Sequence, residues 1–147
     1  MTHRATTRLV LLLALAGGTP LVVSPATAAD TTYRAALNGS SEVPATQSPG
    51  TGEVTATYDP ATKQLSWKGT YSGLTGPVTA AHFHGPAKAG ENAGVLVPVT
   101  AASSPFSGSA TLDDAKVADL EAGKLYFNIH TAANPKGEIR GQVERAR

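Results

Sequence analysis

The chain has 147 residues, with twelve Lys and Arg against eleven Asp and Glu, a formal charge of +1, and no cysteine. The missing cysteines exclude disulfides, thiolate zinc sites, iron–sulfur clusters and blue-copper centres. The charges are scattered and nearly balanced, so there is no basic face of the kind that nucleic acid or an anionic membrane requires.

Residues 1–28 read as a secretory signal peptide. A basic "MTHRATTR" leads into the apolar "LVLLLALAGGTPLVV", and "ATA" supplies the small residues of a cleavage pattern ending at Ala28. The apolar run is interrupted by Gly17, Gly18 and Pro20 and falls short of the roughly 20 residues of a membrane-spanning helix, so no membrane span is expected in the mature chain. The product is expected to be secreted and extracellular, or periplasmic in a host with an outer membrane. Loss of Arg4 and Arg8 leaves ten basic against eleven acidic residues, and loss of His3 leaves three histidines. Residues 29–147 then have the size of one domain with its own core.

In chain order, "TTYRAALNG" (31–39) is a predicted strand, followed by a loop broken by Pro44, Pro49 and Gly50. "TGEVTATYD" alternates Val54, Ala56 and Tyr58 against polar residues. The turn "DPAT" joins it to "KQLSWKGTYSG", where Leu65 and Trp67 share a face, which makes a hairpin with Trp67 in the core. The next predicted strands are "VTAAHFHG", "GVLVPVT" and "PFSGSATL". A single helix is expected in "DDAKVADLEAG", with Asp113 or Asp114 as its cap and Gly123 as its stop. "KLYFNIHTA" and "GEIRGQVER" close the chain around the turn "ANPKG". About eight short strands and one short helix point to an antiparallel β-sandwich or barrel.

Strand alternation sorts the candidate residues. In "AAHFH" the apolar Ala81 and Phe83 oppose His82 and His84; in "YFNIH" Phe127 and Ile129 oppose Tyr126, Asn128 and His130. With the apolar members in the core, all three histidines project from outer faces, none of them buried against apolar side chains. An H-x-H pair on a strand is often no more than two solvated histidines. Here every mature histidine lies near the end of one of two strands and on the same side relative to the core, which suits a three-imidazole metal site. Asp113 and Asp114 read as helix caps rather than a catalytic pair, and no nucleophile elbow, phosphate loop or dinucleotide fingerprint is present. Glu138 and Arg140 share a strand face, as an exposed ion pair, as partners of residues across the strand pair, or as groups that orient a histidine.

The segments "AAHFHGPA" and "AGVLVPV", followed by "AGKLYFNIHT" and "NPKGEIRGQ", resemble the CHRD domain family, named from chordin, over about Tyr33 to Val143. The resemblance implies an immunoglobulin-like, Greek-key antiparallel β-sandwich in an extracellular setting, without a well-established catalytic activity. The family's H-x-H and N-x-H-T positions fall on His82, His84, Asn128, His130 and Thr131, and its G-E-I-R-G on Gly137 to Gly141. Growth-factor antagonism is not carried over, because chordin's cysteine-rich modules have no counterpart here. "GLTGPVTAAHFHG" is loosely similar to the copper strand of Cu/Zn superoxide dismutase, but that enzyme uses more histidines than the mature chain holds.

The expected function is capture, buffering or delivery of a divalent ion outside the cell. The ion is copper, with zinc as the alternative, held by His82, His84 and His130. Glu91, Asn128, Glu138 and Arg140 are candidates for a fourth ligand or for support of the ligands. Binding is expected to weaken as pH falls through about 6.5, where free imidazoles protonate. A second reading is a non-enzymatic module that contacts an extracellular protein or a cell-wall component through a sheet face, with structural histidines. A copper redox enzyme is the weaker third.

Overall fold

A computed structural model describes residues 28–101 and 103–147, so the expected signal peptide lies outside the described residues except for Ala28. The strands are β1 (Thr31–Asn38), β2 (Thr51–Asp59), β3 (Gln64–Ser72), β4 (Val78–His84), β5 (Val95–Val99), β6 (Phe106–Thr111), β7 (Tyr126–Thr131), β8 (Ile139–Gln142) and β9 (Glu144–Arg145). One helix, α1 (Asp114–Glu121), lies between β6 and β7, and a 3-10 turn at Gly39–Ser41 follows β1.

Alternating apolar residues build these strands and decide which face each one buries. Tyr33, Ala35 and Leu37 of β1, Val54, Ala56 and Tyr58 of β2, and Leu65 and Trp67 of β3 all point inward and are buried. The β2–β3 hairpin pairs Ala56 with Trp67 and Tyr58 with Leu65, as the period-2 pattern requires. The Asp113 side chain caps α1 by accepting from the Lys116 amide at 2.9 Å. Gly123, just past its end, takes φ +66, and Leu120 anchors the helix in the core.

All pairings are antiparallel, in the order β5-β4-β7-β8-β1-β2-β3-β6, with β9 also pairing β1. "GEIRGQVER", expected as one strand, divides at Val143, whose amide turns to the Leu125 carbonyl at 2.9 Å while its side chain enters the core. Strands far apart in the order touch across the interior. Trp67 of β3 meets Phe83 of β4 edge-on with ring centres 5.2 Å apart, and Phe106 of β6 stacks on Phe127 of β7 at 5.7 Å. The protein is therefore mainly β, one antiparallel sheet curled nearly into a barrel around a continuous apolar core.

The two faces of the curled sheet are treated differently around its circumference. On β2 and β3 the outward residues are exposed or half-buried, whereas on β7 every residue except His130 is buried. Loops cover the outer face of β7 and its neighbours. The 85–94 loop is held there by Gln142, whose Nε2 donates to the Ala87 carbonyl, and by Arg140, which donates to the Asn92 side chain and the Glu91 carbonyl.

Candidate metal centre

β4 and β7 are adjacent, and their register sets Ala80 opposite His130, His82 opposite Asn128 and His84 opposite Tyr126. Because side chains directly and diagonally opposite on one sheet face lie within reach of each other, this register alone gathers three imidazoles and an amide. One ring nitrogen from each of His82, His84 and His130 lies within 4.8 Å of the others. His82 Nδ1 and His130 Nε2 are 3.3 Å apart. Bonds near 2.0 Å to a common ion require nitrogen separations of about 3–4 Å, so the widest gap needs an imidazole shift of about 1 Å.

Two backbone carbonyls fix which nitrogens face inward. His84 Nδ1 lies 3.0 Å from the Ala93 carbonyl oxygen, and His130 Nδ1 lies 3.0 Å from that of Pro135. A carbonyl only accepts, so each Nδ1 carries the hydrogen and each neutral ring presents Nε2 as a lone pair. This is the outer support that histidine ligands of metals usually have. His84 Nε2 and Asn128 Oδ1 are both buried without a hydrogen-bond partner among the described residues. Burial lowers the His82 pKa, helped by the nearby His130 and His84. Burial also lowers that of His84, against the opposing pull of the Ala93 carbonyl and the Asn128 side chain. Both rings are thereby kept neutral. With His130 Nε2 as the acceptor, the 3.3 Å contact makes His82 Nδ1 the donor, so ligation through His82 Nδ1 requires its hydrogen to leave that nitrogen for Nε2.

The outward direction of the histidines agrees with the alternation of the two strands, but the environment of His84 does not agree with the sequence reading. His84 is only 7% exposed, and its ring lies parallel to that of Tyr126, 4.7 Å away and tilted by 3°. The 85–94 loop folds back over this end of the sheet, so an outer face became an interior one. His82 and His130 remain half-buried.

The four supporting candidates occupy different places. Asn128 sits among the histidines, opposite His82. Glu91 is exposed, and its carboxylate accepts from the Lys88 amide at 3.1 Å. Glu138 and Arg140 are fully buried, at 0% and 2% exposure, which removes the exposed ion pair as a description of them. Neither hydrogen-bonds an imidazole. Glu138 accepts from Ser48 Oγ, the Thr75 amide and Thr131 Oγ1, while the Arg140 guanidinium lies 3.4 Å over the Tyr126 ring.

Glu42 belongs to this neighbourhood and carried no signal in the sequence, since it lies in an irregular loop without periodicity. It is 6% exposed, and burial pushes its pKa up to about 7 against the pull of Arg140 and Asn128. Glu42 and Asn128 both abut Gly137, where a Cβ would come within 2.5 Å of Glu42 Oε1 and 2.9 Å of Asn128 Nδ2. With φ +127 as well, only glycine fits there.

The fold and the site define a class: an antiparallel, nearly barrel-shaped β domain with three histidines converging on the outer face of two neighbouring strands. The family model of the CHRD domain matches residues 33–143, and the chain belongs to that family. No curated protein and no solved structure matches the chain. Among the described residues no helix is long and apolar enough to cross a membrane.

Proposed function

We propose that the protein is a secreted metal-binding domain that holds copper, with zinc as the weaker competitor, through His82 Nδ1, His84 Nε2 and His130 Nε2. The observation that carries this reading is the convergence of acceptors. With the Nδ1 hydrogens of His84 and His130 committed to carbonyls, His84 Nε2 and Asn128 Oδ1 are buried lone pairs that no donor meets, and His130 Nε2 beside them accepts only from His82 Nδ1, a donor that an ion would replace. Buried acceptors without donors are costly, and a cation satisfies several of them at once. Asn128 Oδ1 is the nearest candidate for a fourth donor. An all-nitrogen set of neutral imidazoles suits Cu(II) and Zn(II), and the Irving–Williams order favours copper.

The role is capture, buffering or delivery of the ion, as befits a site with half-buried ligands rather than a sealed cage. On this reading the two halves of the curled sheet serve as the layers of the immunoglobulin-like Greek-key sandwich that the family resemblance implies. Copper titration by calorimetry of the secreted protein and of His82→Ala, His84→Ala and His130→Ala tests the proposal. Loss of His130 should weaken binding about as much as loss of either β4 histidine, at least tenfold, since two imidazoles leave the ion under-coordinated. Without metal, His82→Ala and His130→Ala should melt near wild type, whereas buried, stacked His84→Ala should melt lower. Because burial lowers the pKa of His82 and of His84, protons should compete with the ion at these two ligands only below the 6.5 of a free imidazole. Unchanged copper affinity in His130→Ala would overturn the reading and favour the interaction module.

A further inference from the structure

The outer face of β4, β7 and β8 carries a stack of three planar groups that the ligand set does not explain. β7 lies between the other two strands, so its Tyr126 ring has a neighbour on each side. On the β4 side His84 is parallel to it at 4.7 Å; on the β8 side the Arg140 guanidinium sits 3.4 Å from its centre. The Tyr126 hydroxyl is pinned at the Ala93 backbone, donating to the carbonyl at 3.2 Å and accepting from the amide at 3.3 Å. That carbonyl also receives the His84 Nδ1 hydrogen. Tyr126 and His84 therefore share both a stacking contact and an anchor, and neither plane can turn without the other.

Arg140 brings a permanent charge to this stack. Among the described residues it is the one buried lysine or arginine, and it takes part in none of the ion pairs, which join Arg34 to Glu53, Lys63 to Asp114 and Lys116 to Asp113. Its donors go to uncharged groups, the Asn92 side-chain oxygen and the Glu91 carbonyl. Glu42 is the carboxylate that faces the same cleft as Arg140, buried against Gly137 beside Asn128. A dehydrated cation held against an aromatic face, one ring away from a metal ligand, is an expensive arrangement if its only task is to pin a loop.

We infer that Arg140, acting through Tyr126 on His84, is a positioning residue that biases the three-histidine centre toward Cu(I) relative to Cu(II). The inference rests on the metal reading above. Its physical basis is charge: a fixed positive group repels the doubly charged ion more than the singly charged one. At a separation of about 10 Å and an effective dielectric near 20, one unit of charge difference changes the affinity ratio by about tenfold. The stack adds direction, since it keeps the His84 plane fixed when the ion changes charge. The centre would thus keep copper in either oxidation state, as a carrier that receives or releases the ion in a reducing or an oxidising setting needs.

The test is the ratio of Cu(I) to Cu(II) affinity at pH 8, measured by competition with chromophoric chelators for each ion. Arg140→Gln, which keeps an amide donor for the loop but loses the charge, should lower the ratio about tenfold. Arg140→Lys, which keeps the charge, should leave the ratio near wild type even where both affinities drop. Glu42→Gln removes the opposing carboxylate and should move the ratio the other way, which keeps the inference testable if an arginine variant fails to fold. A purely structural role would lower both affinities together and leave every ratio unchanged, and that result would overturn the inference while leaving the metal site intact. A wild-type protein that binds copper in neither state would overturn the metal reading itself.

Discussion

Glu138 has no solvent exposure, and none of the ion pairs among the described residues includes it. Burial alone would raise its pKa, but the Ser48 and Thr131 hydroxyls and the Thr75 amide stabilise the carboxylate more, and the net effect holds it at about 2 against an ordinary 4.5. Three segments meet on this one side chain: the loop before β2, the loop before β4 and the end of β7. The Glu138 carbonyl adds a fourth tie by accepting from Thr46 Oγ1 at 2.8 Å. A folded pKa below the unfolded one means that the contribution is fully present above about pH 4.5 and is lost as pH falls toward 2. Its size is about 3 kcal/mol. Glu138→Gln should lower stability by about that amount at neutral pH and flatten the pH dependence between 4.5 and 2. Chemical denaturation of both proteins across that range checks it; equal slopes in the two would show that the hydroxyls and the amide do not select the ionised form.

Among the elements, β3 and β4 connect core and site. Trp67 is 7% exposed and packs edge-on against Phe83, which lies between the two β4 histidines in sequence and on the opposite face. Trp67→Ala should cost about 3–5 kcal/mol by leaving a large cavity, a large part of the roughly 5–15 kcal/mol that holds a domain together. A thermal melt reads this directly, and a mutant within about two degrees of wild type would contradict the inward facing of β3. The same period-2 logic made the directions of Ala81, Phe83, Phe127 and Ile129 legible in the sequence, and with them the shared side of the three histidines. Strand pairing was not legible: nothing in "AAHFH" or "YFNIH" says that β4 and β7 are neighbours. Nor was the burial of His84, which depends on the 85–94 loop folding back, or the part played by the Ala93 and Pro135 carbonyls, which belong to every residue type alike. Glu42 was invisible because it is a loop residue, brought against Gly137 and Asn128 by the fold rather than by any periodic pattern.

At the scale of the whole molecule, curling a single sheet nearly into a barrel consumes the inner face entirely in the apolar core and leaves chemistry to the outside. β4 and β7 sit toward one end of the strand order, with β4 next to the edge strand β5, and the loops after β4 and after β7 reach their histidines with the Ala93 and Pro135 carbonyls. A rigid pair of strands thus sets the ligand positions while loops supply the orienting carbonyls and the partial cover, a division suited to holding an ion within small tolerances. On the proposed reading one ion sits among His82, His84 and His130. A crystal of the copper-soaked protein, measured on both sides of the copper absorption edge, tests it most directly. A single anomalous peak is expected about 2.0 Å from His82 Nδ1, His84 Nε2 and His130 Nε2, with Asn128 Oδ1 beside it. A peak elsewhere on the chain, or three histidines unchanged and still bonded His82 to His130 with no peak between them, would contradict it.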